Sequence, residues 1–362
     1  MNNITLTLEQ STACEKITEW FKTPDKPSFH FGGYAGTGKT TVIKSLCSEL
    51  GKDIYIIVSA FTGKACSVLQ RKDVFAQTLH SLIYDVEIKP DGGVEFYKKS
   101  RLEGCPQLII VDEASMISTE LYNDLMSFKV KVLFVGDPAQ LEPVGDNPNL
   151  MKRTDFVLTK IHRQAEESPI ISLASRVRLG AVPMKGEVPG LTVKDKSLTS
   201  QLMLAADQII CAKNKTRTDF NSRFRQHFKY KPHTVVEGEK LICLRNNGNF
   251  GIFNGQIFRV TKITGETKFI YEANITDEIG KEYTKIPIWK EPFESPVEKD
   301  TRIPREWVYF DYGYVITCHK SQGSEWDSVL VYDEPVPSHI WDMKRWRYTA
   351  ITRASKNLVY CI

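Results

Sequence analysis

The sequence predicts an α/β protein whose second half is interrupted by a β-rich insertion. Three observations carry that expectation. Up to about residue 150, short runs of aliphatic and β-branched residues alternate with stretches of helical apolar spacing, the pattern of buried parallel strands in βαβ units. The first of these runs ends directly in a glycine-rich loop. Residues 236–312 lose the helical spacing and break into short strands at close intervals.

Taken in order, Ser28–Gly32 is a short apolar strand ending in glycines, and Thr41–Leu50 has helical spacing. Asp53–Val58, Leu108–Val111 and Val130–Val135 read as buried strands that each meet a polar or small-residue loop. Tyr84–Pro106 departs from the pattern: alternation on both sides of Pro90-Asp91-Gly92-Gly93 signals a hairpin. Residues 159–235 form a second α/β region, in which Asp207–Lys215 reads as a strand running into a basic loop. The segment 236–312 reads as a small β-barrel or a hairpin sheet, after which Gly313–Thr317 and Ser328–Tyr332 return to buried strands. The β-rich part is therefore expected as an insertion into the second α/β unit.

Composition narrows the class. A chain of 362 residues suggests two or three domains, and 41% hydrophobic with 25% charged residues is the balance of a globular protein. No apolar run is long enough to cross a bilayer, and the first ten residues lack the basic-then-apolar pattern of a secretory signal, so a cytoplasmic location without membrane attachment is expected. The eight cysteines contain no CxxC pair, which argues against a zinc site or a disulfide framework. A formal net charge of +4 says little about nucleic acid.

The segment Gly33-Tyr34-Ala35-Gly36-Thr37-Gly38-Lys39-Thr40 fits G-x-x-x-x-G-K-[ST]. Glycines there let backbone N–H groups close around phosphate oxygens, at the positive end of the helix that follows. Lys39 supplies a cation for the β- and γ-phosphates, and the Thr40 hydroxyl is a ligand for Mg²⁺. Gly33, Ala35, Gly36, Thr37, Gly38, Lys39, Thr40 and Thr41 are accordingly the expected ATP contacts. Asp112 and Glu113 follow a buried strand directly, where one carboxylate can hold Mg²⁺ and its neighbour can orient and deprotonate water. Asp112 is assigned to the metal and Glu113 to the base, a pairing that suits hydrolysis better than a kinase.

The residues further along resemble superfamily 1 helicases, and most closely the RecD/Dda-like branch of subgroup B. Leu8-Glu9-Gln10 resembles the Q motif, Ser59–Ala65 motif Ia, Thr78–Ser81 motif Ib and Val135–Val144 motif III. Leu158–Arg163 resembles motif IV, Thr317–Trp326 motif V and Tyr348–Ala354 motif VI. The resemblance covers nearly the whole chain. It implies two RecA-like P-loop NTPase domains: 1–158, with 84–106 as a 1B hairpin or pin, and 159–235 with 313–362. It also implies an SH3-like 2B insertion at 236–312, short enough to leave little chain for a tower bracing the pin.

The implied activity is ATP hydrolysis driving 5′–3′ movement on single-stranded DNA and duplex unwinding, in DNA replication, recombination or repair. Single-stranded DNA and ss/ds junctions would be the partners, with single-strand-binding or replication proteins beside them. By the same resemblance Gln10 would read adenine, Gln140 would sense the γ-phosphate, and Arg163 and Arg353 would stabilise charge on it. Gly323 and Glu325 would face the nucleotide sugar or its metal, and His162 would stack on the base or simply pack. Phe61, Thr62, His80, Thr317 and His319 would lie along the DNA. Phe96 would stack at the tip of the pin or serve as a cross-strand packing residue. A translocase that displaces proteins and unwinds weakly, an RNA-directed motor and a nucleotide-gated binding module are the alternatives.

Overall fold

A computed structural model describes residues 5–88, 94–142, 146, 148–161, 167–294, 304, 306–337 and 342–362. Three sheets organise these residues. The first is wholly parallel, in the order Gln77–Thr78, Ile56–Ala60, Leu108–Asp112, Lys131–Gly136, Ser28–Gly33, Phe156–Leu158. Its central strands are buried from end to end, as Leu108–Val111 illustrates, which is why they read as continuous apolar runs. The strand that precedes the glycine loop sits between Lys131–Gly136 and Phe156–Leu158, so the loop leaves the C-terminal edge beside the ends of its neighbours. That edge is where open parallel sheets hold ligands.

The second sheet runs Val315–Thr317, Gln208–Cys211, Trp326–Tyr332, Ala354–Cys361, Leu191–Lys194, Gly186–Val188, parallel except for the last pair. The third is antiparallel, in the order Glu282–Trp289, Ile270–Asp277, Ile257–Glu266, Lys240–Cys243, Phe310–Tyr312, and has its own apolar core around Phe258 and Phe310. In sequence it interrupts the second sheet. Tyr84–Ile88 and Val94–Lys98 pair as a two-stranded ribbon in which Val86 faces Phe96 in register. The side chain of Phe96 lies outside the described residues.

Polar anchors join these bodies. Thr7 and Gln10 form a capping box at the start of helix Leu8–Lys22, and Glu9 on the same turn accepts the Thr159 and Lys160 N–H groups at 3.0 and 2.9 Å. The chain is thus tethered to the first lobe just where it departs for the second. Lys64, on helix Gly63–Arg71, lies 2.5 Å from Glu278, in the turn that follows strand Ile270–Asp277 of the antiparallel sheet, and 4.1 Å from the ring centre of Trp326 of the second lobe. One lysine therefore contacts both other bodies. Among the described residues, no helix is long and apolar enough to cross a membrane.

Candidate nucleotide site and nucleic-acid face

The glycine loop wraps because two of its residues take left-handed backbone: Gly36 at φ 77° and Gly38 at φ 81°. A side chain at Gly33 would collide with Lys39 and Thr37, its Cβ only 2.7 Å from Lys39 Cγ. Thr37 is buried and its hydroxyl donates to Tyr34 O at 2.8 Å, while Gln10 Nε2 donates to Thr37 O at 3.1 Å. Gln10 therefore serves two structures at once, the cap of its own helix and the underside of the loop. Lys39 Nζ donates to Gly33 O at 2.8 Å, a bond that an arriving phosphate can replace.

The loop opens on a cavity of about 820 Å³. Ala35, Gly36, Gly38, Lys39, Thr40 and Thr41 line one side; Asp112 and Glu113 come from the strand end; Gly323, Glu325 and Arg353 come from the second lobe. Sequence-predicted residues far apart in the chain thus share one wall. Glu113 has φ 53°, left-handed backbone in a residue other than glycine, a strain that needs support from its surroundings. Burial pushes both carboxyls upward. Lys39 opposes the shift most for Asp112, whereas for Glu113 the neighbouring Asp112 adds to it and Arg353 opposes it. Asp112 accepts the Glu113 N–H at 3.0 Å.

Arg353 is 5% exposed and held by three contacts: Nε to Thr349 O at 3.0 Å, Nη1 to Ser324 O at 3.0 Å and Nη2 to Thr352 Oγ1 at 3.1 Å. Among the described residues no cluster of three or more His, Cys, Asp and Glu could hold a metal. The oxygen donors in the cavity, Thr40 and Asp112, fit a cation that completes its shell with water and phosphate oxygens, which is the habit of Mg²⁺.

Gln140 stands apart from that wall. It borders a small separate hollow with Asp137 and Arg345, and its side-chain Oε1 is buried without a hydrogen-bond partner. Its backbone carbonyl accepts from Arg345 Nη1 at 3.0 Å. His162 and Arg163 lie outside the described residues.

Two features carried no linear signal. The Tyr348 hydroxyl donates to Asp137 Oδ2 at 2.7 Å and accepts the Ala35 N–H at 2.8 Å, linking the second lobe to the glycine loop through one buried atom. Next to it, Thr349 Oγ1 accepts the Leu141 N–H at 2.9 Å, and Gln322 Nε2 donates to Leu141 O at 2.8 Å. The second feature is Arg178, whose guanidinium lies 3.7 Å from the ring centre of Tyr34. A tyrosine within a helix reads as core, and only the tertiary contact gives its hydroxyl a task.

Among the residues expected along the DNA, Phe61 meets His80 at 5.8 Å, and His80 meets Tyr84 at 5.9 Å between ring centres. Burial lowers the affinity of His80 and of His319 for a proton, favouring neutral rings. The Thr62 hydroxyl caps helix Gly63–Arg71 by accepting from Ala65 N at 3.1 Å. Gly323, at φ 70°, approaches so closely that a Cβ there would lie 3.1 Å from Thr62 Oγ1. Thr317 is buried at the end of its strand, with no side-chain bond to the helix it precedes.

A glycine-loop seat on one lobe, faced by an arginine from another, defines a two-lobed P-loop ATPase. The AAA domain family matches residues 5–189, and the UvrD-like helicase C-terminal domain matches residues 312–360. The ATP-dependent RecD2 DNA helicase of Deinococcus radiodurans is 27% identical over 363 aligned residues, covering 89% of this chain and 45% of that protein. The ATP-dependent DNA helicase PIF1 of Trypanosoma brucei brucei is 25% identical over 57% of this chain and 22% of its own length. The structure of Bacteroides Pif1 bound to ssDNA superposes with a TM-score of 0.61 at 19% identity, covering 99% of this chain and 92% of that one. Pif1 helicase from Candida albicans superposes at 0.56 with 16% identity, covering 99% and 94%. This chain belongs to the AAA domain family that matches its residues 5–189, and its fold, shared with the Pif1 structures, is a pair of RecA-like α/β lobes. It spans less than half the length of these curated relatives.

Proposed function

We propose that this protein is an ATP-dependent DNA helicase that moves 5′ to 3′ on single-stranded DNA and opens duplex at ss/ds junctions. One observation supports the reading above the others: Arg353 of the second lobe faces the same cavity as Lys39 and Glu113 of the first. In this reading the first lobe is 1–158 with its hairpin as pin, the second is 159–235 with 313–362, and 236–312 is an SH3-like insertion. The loop N–H groups and Lys39 bind the phosphate chain, Lys39 exchanging the Gly33 carbonyl for phosphate oxygen. Gln10, its amide exchanging the Thr37 carbonyl for the ring, reads adenine, and His162 stacks on the base. Thr40 and Asp112 would hold Mg²⁺, which would supply charge that offsets the phosphates. Glu113 orients the attacking water and takes its proton, and Gln140 senses the terminal phosphate, to which its side-chain NH₂ can donate. Arg353 and Arg163 stabilise the charge that develops as the terminal bond breaks, a contribution of about 10³–10⁵ in rate for such arginines.

Because the arginines and the Tyr348 bridge belong to the second lobe, closure and hydrolysis are coupled. Phe61, Thr62, His80, Thr317 and His319 hold a strand across both lobes by stacking and phosphate contacts that ignore sequence, and Phe96 meets the junction. Unwinding of forked substrates carrying only a 5′ or only a 3′ tail, with ATP, tests activity and polarity together. Opening of the 5′-tailed substrate is expected, and Lys39→Ala is expected to abolish it while the fold persists. Equal opening of both substrates, or ATP hydrolysis indifferent to DNA, contradicts the reading.

A further inference from the structure

The stretch 213–231 contains seven lysines and arginines against one acid, Asp219. It comprises the basic loop after strand Gln208–Cys211, the helix Asn214–His227 and the turn beyond it. Five of its cations, Lys213, Lys215, Arg223, Lys229 and Lys231, are exposed, and none forms an ion pair with a described residue. The helix start needs no outside anion, because the Glu334 carboxylate already accepts the Ala212 and Lys213 N–H groups and the Thr216 hydroxyl. The cations are therefore surplus to the helix itself.

Their position is not arbitrary. Asn221 on the same helix exchanges two hydrogen bonds, each 3.0 Å, with the backbone of Val315, two residues before Thr317. The helix is thus fixed to the strand that carries the proposed DNA contacts Thr317 and His319. Its solvent face, Thr218, Ser222 and Gln226, borders a cavity of about 510 Å³ shared with the antiparallel sheet. Arg217 stands at the wall of that cavity, paired with Asp311 through Nη1, while its buried Nε has no hydrogen-bond partner. Arg217 also lies near enough to Lys320, the residue after His319, to act with burial in lowering that lysine's proton affinity. Exposed cations without an ion pair among the described residues therefore stand at the start of this helix (Lys213, Lys215), along it (Arg223) and on the turn beyond it (Lys229, Lys231).

We infer that this basic face is a second stretch of the nucleic-acid track, holding the phosphodiester backbone of single-stranded DNA after it leaves the groove between the lobes. The inference rests on the proposed DNA reading and extends it, since it assigns a longer footprint than the cleft alone. Single-strand channels pair cations with backbone phosphates, and each phosphate neutralised adds about 0.7 to the slope of log affinity against log salt.

The test compares oligothymidylates of about 8 and about 24 nucleotides, lengths on either side of one cleft's footprint. Binding to wild type and to Lys215→Ala/Arg223→Ala/Lys229→Ala is measured by anisotropy over a salt series, with thermal unfolding to verify folding. The variant should bind the short oligomer within about twofold of wild type. It should bind the long one at least about tenfold more weakly, with a salt slope lower by about 2. Equal loss for both lengths, or no loss for either while the short oligomer still binds and stimulates ATP hydrolysis, overturns the track and leaves the cleft reading standing. Weakened binding of polyglutamate with unchanged DNA binding assigns the face to an acidic protein partner and overturns it as well. Absence of any DNA binding by wild type counts against the parent reading itself.

Discussion

Two groups of buried charge sit in this molecule and they are built on opposite plans. Around Arg225 every nitrogen is used: Nε reaches both Glu239 oxygens at 3.2 Å, Nη1 the Tyr312 hydroxyl at 2.7 Å, and Nη2 the Lys231 and Thr234 carbonyls at 2.9 and 2.8 Å. Glu239, fully buried, also accepts the Tyr314 hydroxyl at 3.0 Å. Around the glycine loop the bonding is left open. Glu113 is held in left-handed backbone and Lys39 is parked on a carbonyl, and at a separate hollow the Gln140 side-chain oxygen has no partner. A closed network fixes a turn against a sheet and gains nothing from a ligand. An open one keeps its unmet bonding for a molecule that arrives.

That contrast can be broken by substitution, and the largest effect should come from Arg353. Arg353→Ala should lower DNA-stimulated phosphate release about 10³–10⁵-fold while ATP still binds. A loss under tenfold would place this arginine among the structural charges. Glu113→Gln should retain nucleotide binding and lose about 10²–10⁴ in turnover. Its pH dependence sharpens the point. Burial and Asp112 make the Glu113 proton harder to remove, and a base must be ionised to act. The wild-type rate should therefore climb with pH through a range above that of an ordinary carboxylate, and this limb should vanish in the residual activity of Glu113→Gln. A limb that survives belongs to another group.

On the closed side the prediction concerns stability. Arg225→Met leaves Glu239 buried without its cation and should cost about 3–5 kcal/mol, read as a lower denaturant midpoint. Arg225→Met/Glu239→Leu should recover much of that loss, and turnover per folded molecule should stay near wild type in both. The smallest effect is expected at the bridge between lobes. Tyr348→Phe removes one hydroxyl bonded to a carboxylate and a loop amide, worth about 1.5–3 kcal/mol when one partner is charged. The loss should fall on DNA-stimulated turnover more than on thermal stability; the reverse would make the hydroxyl a packing device.

Much of the first lobe was legible because its signals are local. Leu108–Val111 is apolar at every position, and the structure extends it only to Asp112. The strand expected at Asp53–Val58 begins at Ile56, since the Asp53 and Ile54 N–H groups both bond back to Leu50 O of the short 3-10 helix Leu50–Lys52. The second lobe hid more. Ala354–Cys361 lies between Trp326–Tyr332 and Leu191–Lys194, yet its exposed Ser355-Lys356-Asn357 start masks a buried strand. Phe156–Leu158 and Gly186–Val188 are three residues each, too short for periodicity to speak.

The sequence by itself determined the chemistry on offer: a phosphate loop, a carboxylate pair at a strand end, arginines downstream, and the order of motifs that identifies the family. These depend on residue type at fixed spacing, which a linear chain records. Only the tertiary structure decided which of those groups meet. It brought Arg353 to the loop's cavity, set Gln140 at a separate hollow, made Tyr348 a bridge and left five of the seven cations of 213–231 without an ion pair among the described residues. Such outcomes depend on contacts between residues hundreds of positions apart, fixed by how separate sheets pack, and no local pattern of side chains encodes them.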